Sequence, residues 1–386
     1  MALMPLCGMQ TVLHVIDHSE EGGAQVVLGD IAKALSAQFE FSVAVLGRSG
    51  RFSPVYEELG MQVQELGKGV TKWDPKVAFR LWRTIRSLRP KIVHTHLFKS
   101  NVLGVLVARA AGCPAIIHDH SGMTPAPLTH YFSMVVKCLY LLAFRTALRC
   151  CSKVIVLTPA EATAYRQSYG DLCDKVVVVP NGVDVTALEE ASKGESSIRT
   201  ELGLPEDARL VVSAGRLLDQ KDWRTFVDVA RRVGGHGSTR RAFLIAGTGP
   251  VEAPIRRKLT EDGVTNVYLL GYRDDVPRLL AQSDVCLLTS RRESFGLILL
   301  EAMALGCPVV ATRCGGPEAI VNDGNDGLLV PVGDAVGLAD AVQSLLSNPG
   351  LSQRLVSRAR AKVRAKFTLA KLGQNVLGVY RVCMGL

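Results

Sequence analysis

The sequence reads Glu293-Ser-Phe-Gly-Leu-Ile-Leu-Leu-Glu301 a few residues after an apolar run, Val285–Leu288, that has the composition of a buried strand. A helix is predicted to begin near Gly296, which places Glu293 on the loop and Glu301 inside the helix. The first N–H groups of such a helix are free and attract a phosphate, while the two carboxylates can accept hydrogen bonds from neighbouring hydroxyls. The stretch therefore predicts a strand–loop–helix unit that binds a phosphate beside hydroxyl groups, as a nucleotide-sugar presents them.

The same strand-then-helix order repeats along both halves of the chain. The predicted strands cover residues 11–16, 42–46, 62–65, 92–94, 115–117, 154–157 and 176–179, then 210–214, 242–246, 267–270, 285–288, 309–311 and 328–330. The predicted helices cover residues 24–37, 76–88, 102–111, 132–148 and 159–169, then 223–232, 251–261, 276–281, 296–304, 336–346, 351–366 and 369–383. Such alternation predicts an α/β protein with two Rossmann-like, doubly wound parallel sheets, each with its loops at the carboxyl ends of its strands.

Length and composition fit a globular protein of two domains. The chain has 386 residues, of which 48% are hydrophobic and 21% charged, enough for two separate cores. Its ten cysteines include no Cys-x-x-Cys pair and favour reduced core residues in a cytoplasmic protein over a disulfide or zinc framework. The apolar amino terminus lacks a basic region, so no signal peptide is predicted, and no apolar run reaches the ~18 residues of a membrane span.

The net charge of +9 indicates a basic surface. Basic residues are concentrated at 80–91, 145–153, 231–257 and 354–371. Such a surface could meet an anionic membrane or a polyanionic acceptor, or it could be a solvated face with locally concentrated phosphate ligands. Nucleic acid is not expected, because no nucleic-acid-binding motif accompanies the charge.

An ordered series of motifs carries a resemblance to a known family. In chain order they are Gly215-Arg216, Lys221, Gly247-Thr-Gly249-Pro250, Gly271-Tyr-Arg273, Glu293, Glu301 and Gly315-Gly316-Pro-Glu318. The series resembles the retaining glycosyltransferases of family 4, which have the two-domain GT-B fold, closely over residues 205–332 and loosely before them. The resemblance implies an acceptor-binding domain at 1–182, a donor-binding domain at 183–366, and a helix at 367–386 that crosses back to the first domain. The two domains are expected to face a cleft.

The resemblance also implies roles for individual residues in donor binding. Arg216 and Lys221 match the diphosphate-binding cations, Glu293 the sugar ligand and Glu301 the ribose ligand. The remaining donor-binding positions that it implies are Gly22, Gly23, Gly249, Tyr272, Arg273, Ser294, Phe295, Gly296 and Leu297. Two fixed cations can stabilise a departing diphosphate without a metal. Because no Asp-x-Asp metal motif is found between a strand and a loop, neither a metal nor another cofactor is expected.

Two histidine pairs follow predicted strands of the first half, His94-Thr-His96 and His118-Asp-His120. Zinc is weighed against, because the pairs lie on separate strands. The family places a histidine six residues after a proline such as Pro114, which selects His120 as the residue facing the transferred sugar, with His118 as the alternative favoured by its strand-end position. The predicted catalytic set is therefore His120 or His118 with Glu293, and the reaction is expected to be same-face attack, the departing phosphate taking the acceptor proton.

Acceptor contacts are expected from residues 67–73 and 121–128. Residues 132–148 either lie on a membrane surface or pack on the first sheet as an ordinary helix. The predicted function is transfer of a sugar from a nucleotide-sugar, UDP-linked or GDP-mannose, to a hydroxyl of a glycan or lipid-linked acceptor, in the cytoplasm or at the inner face of the membrane. Two alternatives stay open: a sugar-nucleotide epimerase or glycoside phosphorylase on the same fold, and a non-catalytic nucleotide-binding protein. A dehydrogenase is disfavoured because Glu252 stands where the dinucleotide fingerprint has its third glycine.

Overall fold

The structure is a computed structural model that describes residues 9–67, 74–120, 134–194, 196–234 and 241–386. The chain forms two compact units. Unit 1 comprises Met1–Asn181 together with Leu369–Leu386, and unit 2 comprises Gly182–Thr368. The chain thus leaves unit 1 after Asn181 and returns to it at Leu369, whereas the sequence prediction placed these boundaries after residues 182 and 366.

Unit 1 is built on a seven-stranded parallel sheet with the strand order β3-β2-β1-β4-β5-β6-β7. The strands are β1 (Gln10–Ile16), β2 (Phe39–Val45), β3 (Gln62–Glu65), β4 (Ile92–His96), β5 (Ala115–His118), β6 (Lys153–Val156) and β7 (Val176–Val178). The helices are α1 (Gly23–Leu35), α2 (Phe52–Glu58), α3 (Pro75–Leu88), α4 (Phe98–Ala110), α5 (Met134–Cys150), α6 (Pro159–Tyr169) and the C-terminal α16 (Leu369–Met384).

The sheet of unit 1 is buried on both faces, because β-strand side chains alternate between the faces. Leu13 and Val15 of β1 point to one face and join a core with buried residues of α3, α4 and α5. His14 of β1 points to the other face, where α16 packs and also contacts α1. The helix predicted to cross back onto the first domain does so as α16.

Unit 2 is built on a six-stranded parallel sheet with the order β10-β9-β8-β11-β12-β13. The strands are β8 (Arg209–Ala214), β9 (Arg241–Ala246), β10 (Val267–Gly271), β11 (Val285–Leu288), β12 (Val309–Thr312) and β13 (Leu328–Val330). The helices are α7 (Val185–Ala191), α8 (Ile198–Glu201), α9 (Trp223–Gly234), α10 (Glu252–Glu261), α11 (Val276–Ala281), α12 (Leu297–Leu305), α13 (Pro317–Ile320), α14 (Ala335–Ser347) and α15 (Pro349–Lys366). The predicted fold class, two parallel-sheet α/β domains, is confirmed.

Differences from the sequence prediction have local causes. The helices α2, α7, α8 and α13 were not predicted, because four to seven residues span two turns or fewer and give only a weak 3.6-residue period, although α11, with six residues, was predicted with the bounds it has. Helix α4 begins at Phe98 and not at 102, because Asp17 from the loop after β1 caps it. The Asp17 carboxylate accepts hydrogen bonds from the backbone N of Lys99 at 3.1 Å and of Ser100 at 2.6 Å. A cap supplied from 82 residues away leaves no local signal at the helix start.

No helix within the described ranges is long and apolar enough to cross a membrane. Most of the predicted acceptor loop at 67–73, and all of the one at 121–128, lie outside the described residues. The helix predicted at 132–148 is present as α5, and its buried face, which includes Phe144 and Leu148, joins the core of unit 1. The interpretation of this segment as a helix packed on the sheet is therefore correct for that face.

Candidate active site

Backbone contacts hold together three loops at the carboxyl ends of β8, β9 and β10. The N–H of Gly215 donates to Ala246 O at 2.9 Å, and the N–H of Gly247 donates to Gly271 O at 2.6 Å. A Cβ atom on Gly247 would lie 2.0 Å from Gly215 O, and one on Gly249 would lie 2.5 Å from Leu217 O. Only glycine allows this approach, which explains the Gly-Thr-Gly spacing and packs the predicted nucleotide loops into one rigid edge.

Gly247→Ala is expected to lower the free energy of unfolding of unit 2, by about 2 kcal/mol or more, because backbone strain of ~1–3 kcal/mol adds to the clash with Gly215 O. Gly263→Ala is the matched control. Gly263 also has a positive φ, +62° against +142° for Gly247, but no atom lies within 4 Å of its Cβ position. Urea unfolding of both variants measures the difference, and equal losses would show that the loop contact is unimportant.

Lys221 and Glu293 form an ion pair at the centre of this edge. Lys221 Nζ donates to Glu293 Oε1, and the side chains are only 16% and 11% exposed. Ser290 Oγ donates to the same carboxylate oxygen at 2.8 Å. A Cβ on Gly215 would lie 3.6 Å from Lys221 Nζ, so the lysine crosses directly over the backbone at the end of β8. The pair thus joins a cation and an acid that are 72 positions apart in the sequence.

The segment before α9 and the loop after β11 are bound to each other, and this fixes the pair. The N–H of Arg291 donates to Gln220 O at 2.8 Å, and Thr289 Oγ1 donates to Lys221 O at 3.1 Å. The buried carboxylate of Asp222 accepts from Thr225 Oγ1 at 2.9 Å and pairs with Arg291 Nε at 3.1 Å. Asp222 therefore caps α9 and ties the lysine loop to the glutamate loop at once.

The Gly315-Gly316 turn after β12 supports Glu293 from the other side. The N–H of Gly316 donates to Glu293 O at 2.8 Å, and the N–H of Gly315 donates to Glu318 Oε2 at 2.9 Å. A Cβ on Gly316 would lie 2.4 Å from the backbone N of Phe295. The second glycine pair of the sequence series therefore positions the acid loop by close backbone packing.

Helix α12 begins one residue later than predicted, at Leu297, because Gly296 takes a left-handed conformation with φ of +96°. Phe295 before it is buried and makes an edge contact with Phe367, with ring centroids 6.2 Å apart. Burial of the apolar helix around Glu301 raises the pKa of this carboxyl to about 7. Within the described ranges Glu301 makes no hydrogen bond or ion pair, so its half-buried oxygens are available to a ligand.

The other predicted donor residues of unit 2 differ in how they are engaged. Arg216 is exposed and extends from the end of β8, and Tyr272 is 47% exposed. Arg273 is held in an ion-pair network, with Nε 2.7 Å from Asp275 Oδ1 and a further contact to Glu201. The guanidinium of Arg273 is thus occupied within the protein. Ser294 is half-buried between Glu293 and Phe295.

In unit 1, Gly22 and Gly23 stand at the start of α1, directly after the loop that follows β1. Gly22 is the N-cap residue and its extended backbone carries no side-chain cap. Gln25 in the first turn is buried and donates to His18 O at 3.0 Å, which anchors the loop. The predicted glycine loop therefore lies at a helix amino terminus, whose free N–H groups favour an anion.

Five histidines gather on one face of the unit 1 sheet: His14, His94, His96, His118 and His120. The strand register explains this, since residue 14 pairs with 94 across β1 and β4, and residue 96 pairs with 118 across β4 and β5. The sequence prediction found two separate pairs and missed His14. The signal was available, because His14 occupies the alternate position of β1 that shares a face with the β4 histidines.

The rings form a hydrogen-bonded and stacked ladder. His14 Nδ1 lies 2.8 Å from His96 Nε2, and His96 Nδ1 lies 2.9 Å from His120 Nε2. His94 Nδ1 bonds to the hydroxyl of Tyr380 at 2.8 Å. Burial lowers the pKa of His14 and His120 to about 3, so both rings are neutral at physiological pH.

Two overlapping triads of the ladder have ring nitrogens within 4.8 Å of one another, His14–His94–His96 and His96–His118–His120. Each triad contains nitrogens engaged in a direct N···N hydrogen bond. Ligands ~2.0–2.1 Å from a tetrahedral zinc ion stand about 3.3 Å apart and aim their lone pairs at the metal. The hydrogen-bonded ring nitrogens are 2.8 and 2.9 Å apart, closer than two zinc ligands would be, and they point at each other and not at a common metal position.

Burial separates the two candidate catalytic histidines. His118 has no accessible surface, and its ring stacks under His120 with centroids 4.0 Å apart. His120 is partly exposed at the carboxyl edge of the sheet, two residues after the end of β5. Of the two rings, only that of His120 has accessible surface, and the ring of His118 lies beneath it.

Comparison with known proteins agrees with this fold. The family model described as "Glycosyltransferase Family 4" matches residues 21–187, and the one described as "Glycosyl transferases group 1" matches residues 208–348. Two parallel-sheet units with a glycine-rich, lysine–glutamate strand-end site define a GT-B glycosyltransferase, the class that uses nucleotide-sugar donors. The chain belongs to glycosyltransferase family 4.

Among curated relatives, the chain is 27% identical over 317 residues to the alpha-D-kanosaminyltransferase of Streptomyces kanamyceticus, covering 78% of this chain and 81% of that protein. It is 27% identical over 312 residues to the UDP-Gal:alpha-D-GlcNAc-diphosphoundecaprenol alpha-1,3-galactosyltransferase of Escherichia coli, covering 80% and 79%. Among solved structures, Anabaena Alr3699/HepE in complex with UDP and glucose has a TM-score of 0.82 at 23% identity, covering 97% of this chain and 100% of that one.

Proposed function

We propose that this protein transfers a sugar, with retention of its anomeric configuration and without a metal, from a nucleotide-sugar to a hydroxyl of a glycan or lipid-linked acceptor. The observation that carries the proposal is the buried Lys221–Glu293 pair, supported by Gly215, Ser290 and the Gly315-Gly316 turn. A cation and a carboxylate held side by side suit the two halves of such a donor, its diphosphate and its sugar hydroxyls.

In the proposed reaction, Lys221 and Arg216 face the diphosphate as it departs. Negative charge grows on the leaving group as the glycosidic bond breaks, and preorganised cations stabilise that charge without reorganising. The amino terminus of α12, with the backbone of Phe295, Gly296 and Leu297, supplies further donors of the kind that bind phosphate. These positive groups take the place that a divalent cation would otherwise fill.

The two acids hold the neutral parts of the donor. Glu293 accepts hydrogen bonds from sugar hydroxyls, and its second oxygen is free for this because Oε1 takes both Lys221 and Ser290. Glu301 accepts from the ribose hydroxyls. Its pKa, raised to about 7 by burial, means that donor affinity should increase as the pH rises through neutrality, because only the ionised carboxylate can accept from both hydroxyls.

Unit 1 contributes the acceptor side of the reaction. His120, neutral and at the sheet edge, contacts the transferred sugar, and the Gly22-Gly23 helix terminus contacts the donor diphosphate. The acceptor hydroxyl attacks from the face that the diphosphate leaves, and a phosphate oxygen takes its proton. This route needs no carboxylate nucleophile of the kind that retaining glycosidases place ~5 Å from the sugar.

The substrate classes are proposed from relatives. The Escherichia coli relative is named for a UDP-linked galactose donor and a diphosphoundecaprenol-linked acceptor. The Anabaena neighbour was solved with UDP-glucose. These names favour a UDP-sugar over GDP-mannose, and that of the Escherichia coli relative supports a lipid-linked acceptor. An epimerase would convert the nucleotide-sugar without forming a glycan product. A glycoside phosphorylase would act on a glycan and inorganic phosphate and leave the nucleotide-sugar intact, and a non-catalytic binding protein would bind it without turnover.

A thermal-unfolding screen tests donor binding. The preferred one among UDP-, GDP- and ADP-sugars, at 100 times its dissociation constant, is expected to add about 2.7 kcal/mol to the free energy of unfolding. Glu301→Ala and Lys221→Ala should lose most of that shift, because they remove the ribose and diphosphate contacts. Arg256→Ala is the control, since Arg256 pairs only with Glu252 on the exposed surface of α10. Full protection of both site variants would contradict the proposed donor site.

A further inference from the structure

The excess positive charge of the chain is confined to one stretch of unit 1. Residues 75–160 contain twelve lysines and arginines and one acid, Asp119. The whole chain has 45 basic and 36 acidic residues, so the remainder has 33 against 35 and is nearly neutral. The stretch 75–160 includes α3, α4 and α5, whose inner faces share a single core. The charge of the protein is therefore concentrated in one helical layer.

The outer face of α3 combines this charge with exposed aromatic rings. Phe79 is 59% exposed and Trp82 is 38% exposed, and their rings stack with centroids 6.2 Å apart. Lys76, Arg83 and Arg86 are exposed on the same face, and the Arg86 guanidinium lies 5.9 Å from the Trp82 ring centre. The spacing i, i+3, i+4 and i+7 places the rings and cations side by side.

The opposite face of α3 packs into the core of unit 1. Val77, Leu81 and Ile85 are buried in the core of unit 1. The two aromatic rings are therefore not needed to hold the helix in place, and their exposure is not explained by packing. An apolar contact of this kind exposed beside cations is typical of a surface that meets a partner.

Part of the charge of α15, the other strongly basic helix, is neutralised by carboxylates of the protein. On α15, Lys362 pairs with Asp326 at 3.0 Å and Arg364 pairs with Glu189 at 2.5 Å. On α3, among the residues that the structure describes, no cation lies within ion-pair distance of a carboxylate. The exposed cations of α3 thus have no carboxylate partner among the described residues, although Arg86 lies over the Trp82 ring.

Helix α5, in the same layer, adds two exposed leucines. Leu139 is 60% exposed and Leu142 is 61% exposed. They lie on the side of α5 away from Phe144 and Leu148, which belong to the common core. Helix α4 contacts both α3 and α5 and is itself largely covered, so the two exposed apolar sites flank it.

We propose that the outer face of α3, with Leu139 and Leu142 of α5, docks unit 1 on the surface of an anionic phospholipid bilayer. Arginine and lysine side chains reach the lipid phosphates, while Phe79 and Trp82 enter the interface, where amphipathic rings are favoured. Each added cation near an anionic surface strengthens binding several-fold, and the attraction decays within a Debye length. The inference goes beyond the proposed transfer reaction and does not depend on its donor chemistry. It places the domain that takes the acceptor at the surface where a lipid-linked acceptor would lie.

Co-sedimentation of the full-length protein with vesicles tests the proposal. Binding to vesicles of phosphatidylglycerol and phosphatidylcholine is expected to be at least tenfold tighter than binding to pure phosphatidylcholine, and to weaken with salt. Phe79→Ser/Trp82→Ser should lower the partition constant for anionic vesicles about tenfold at unchanged charge. Arg83→Gln/Arg86→Gln should lower it by a similar factor and reduce the salt dependence.

Two controls make the result specific. Arg354→Gln/Lys366→Gln removes the same charge from α15, and Val336→Ser removes a 51% exposed apolar side chain from unit 2. Both are expected to bind vesicles like the parent. The proposal is overturned if the parent does not bind anionic vesicles, if the aromatic variant binds as well as the parent, or if the α15 variant loses as much as the α3 variant. Preference for soluble heparin or nucleic acid over vesicles would also overturn it.

The donor screen keeps this test separate from the proposed function. All four variants are expected to keep the nucleotide-sugar thermal shift, because their sites lie outside the donor residues. Lost vesicle binding with an intact shift therefore reports on docking alone. Lost vesicle binding with a collapsed melting transition would indicate misfolding, and the single variants Trp82→Ser and Arg83→Gln then decide the question under the same criteria.

Discussion

Lys221→Ala is expected to lower kcat by about 10²- to 10³-fold, the range seen when one preorganised donor to a developing charge is removed. The lysine is only 16% exposed and crosses over Gly215, so the fold fixes the position of this proposed diphosphate ligand. Removing it also leaves Glu293, only 11% exposed, without its counter-ion. An uncompensated buried carboxylate tends to take a proton and would then bind sugar hydroxyls poorly.

Steady-state kinetics with a saturating donor measure this effect, and Lys258→Ala is the matched control. Lys258 is a comparably covered lysine of unit 2, 24% exposed, and pairs with Asp228 and Asp262 at 2.8 Å. Its loss should change kcat less than twofold and affect stability only. Glu293→Gln keeps the shape of the acid and should lower kcat less than Lys221→Ala. Activity of the parent should persist in a strong chelator. Equal rates for Lys221→Ala and the control would remove the lysine from the mechanism.

Unit 1 is expected to lose most of its stability between pH 7 and pH 5, because of its buried histidines. The pKa of His14 and His120 is lowered to about 3, and those of His94, His96 and His118 are lowered well below 6.5. The unfolded chain takes up protons at ~6.5, before the folded chain does, so stability is complete above that pH and falls as the pH decreases. Below that pH each histidine lowers the free energy of unfolding by about 1.4 kcal/mol per pH unit, which amounts to roughly 2 kcal/mol at pH 5.

Five such histidines amount to roughly 10 kcal/mol at pH 5, comparable with the whole stability of a typical domain, ~5–15 kcal/mol. Glu161 offsets the destabilisation caused by about one histidine. Burial raises its pKa to about 8, so as the pH falls the folded chain takes up this proton before the unfolded chain does, which stabilises the folded state. In unit 2, Glu301 with its pKa of about 7 acts in the same opposing direction. Acid should therefore unfold unit 1 while unit 2 remains folded.

Hydrogen exchange resolved by peptide mass separates the units in this experiment. Amides of the unit 1 sheet should lose protection near pH 5, and amides of β8, β9 and β11 should keep it. His118→Phe provides the control. Both ring nitrogens of His118 lack a hydrogen-bond partner among the described residues, and phenylalanine replaces the imidazole with a ring of similar shape that cannot be protonated. The variant should reduce the pH slope by about 1.4 kcal/mol per unit, one proton fewer. Simultaneous loss of protection in both units, or an unchanged slope, would contradict the account.

Much of the fold was predictable, because most strands of both sheets are short apolar runs bounded by a helix or a turn. Residues 62–65, 285–288 and 328–330 were predicted with the bounds that the structure gives them. The long helices were also predicted, and their ends were off by up to four residues. The start of α4 shows why: its cap comes from Asp17 in the loop after β1, and no local pattern reports such a contact.

The candidate site was predictable as a set of residues, but its geometry was not. The motif series indicated Lys221, Glu293 and the glycines, yet nothing in it indicated that Ser290 shares the Glu293 carboxylate or that Asp222 and Arg291 join their loops. Those residues carry no family motif and act only through distances across the sheet edge. The histidines were likewise visible as separate pairs, and their meeting with His14 depends on strand order.

By itself, the sequence determined which segments are strands and helices, where glycine must stand, and which residues could bind a nucleotide-sugar, because these follow from side-chain periodicity and local backbone preference. Only the tertiary structure decided which of them meet: the Lys221–Glu293 pair, the histidine ladder, the partly exposed His120 above the buried His118, and the basic and aromatic face of α3. Strand order and register bring together residues far apart along the chain, and burial then sets their charge. Neither has a local signature in the sequence.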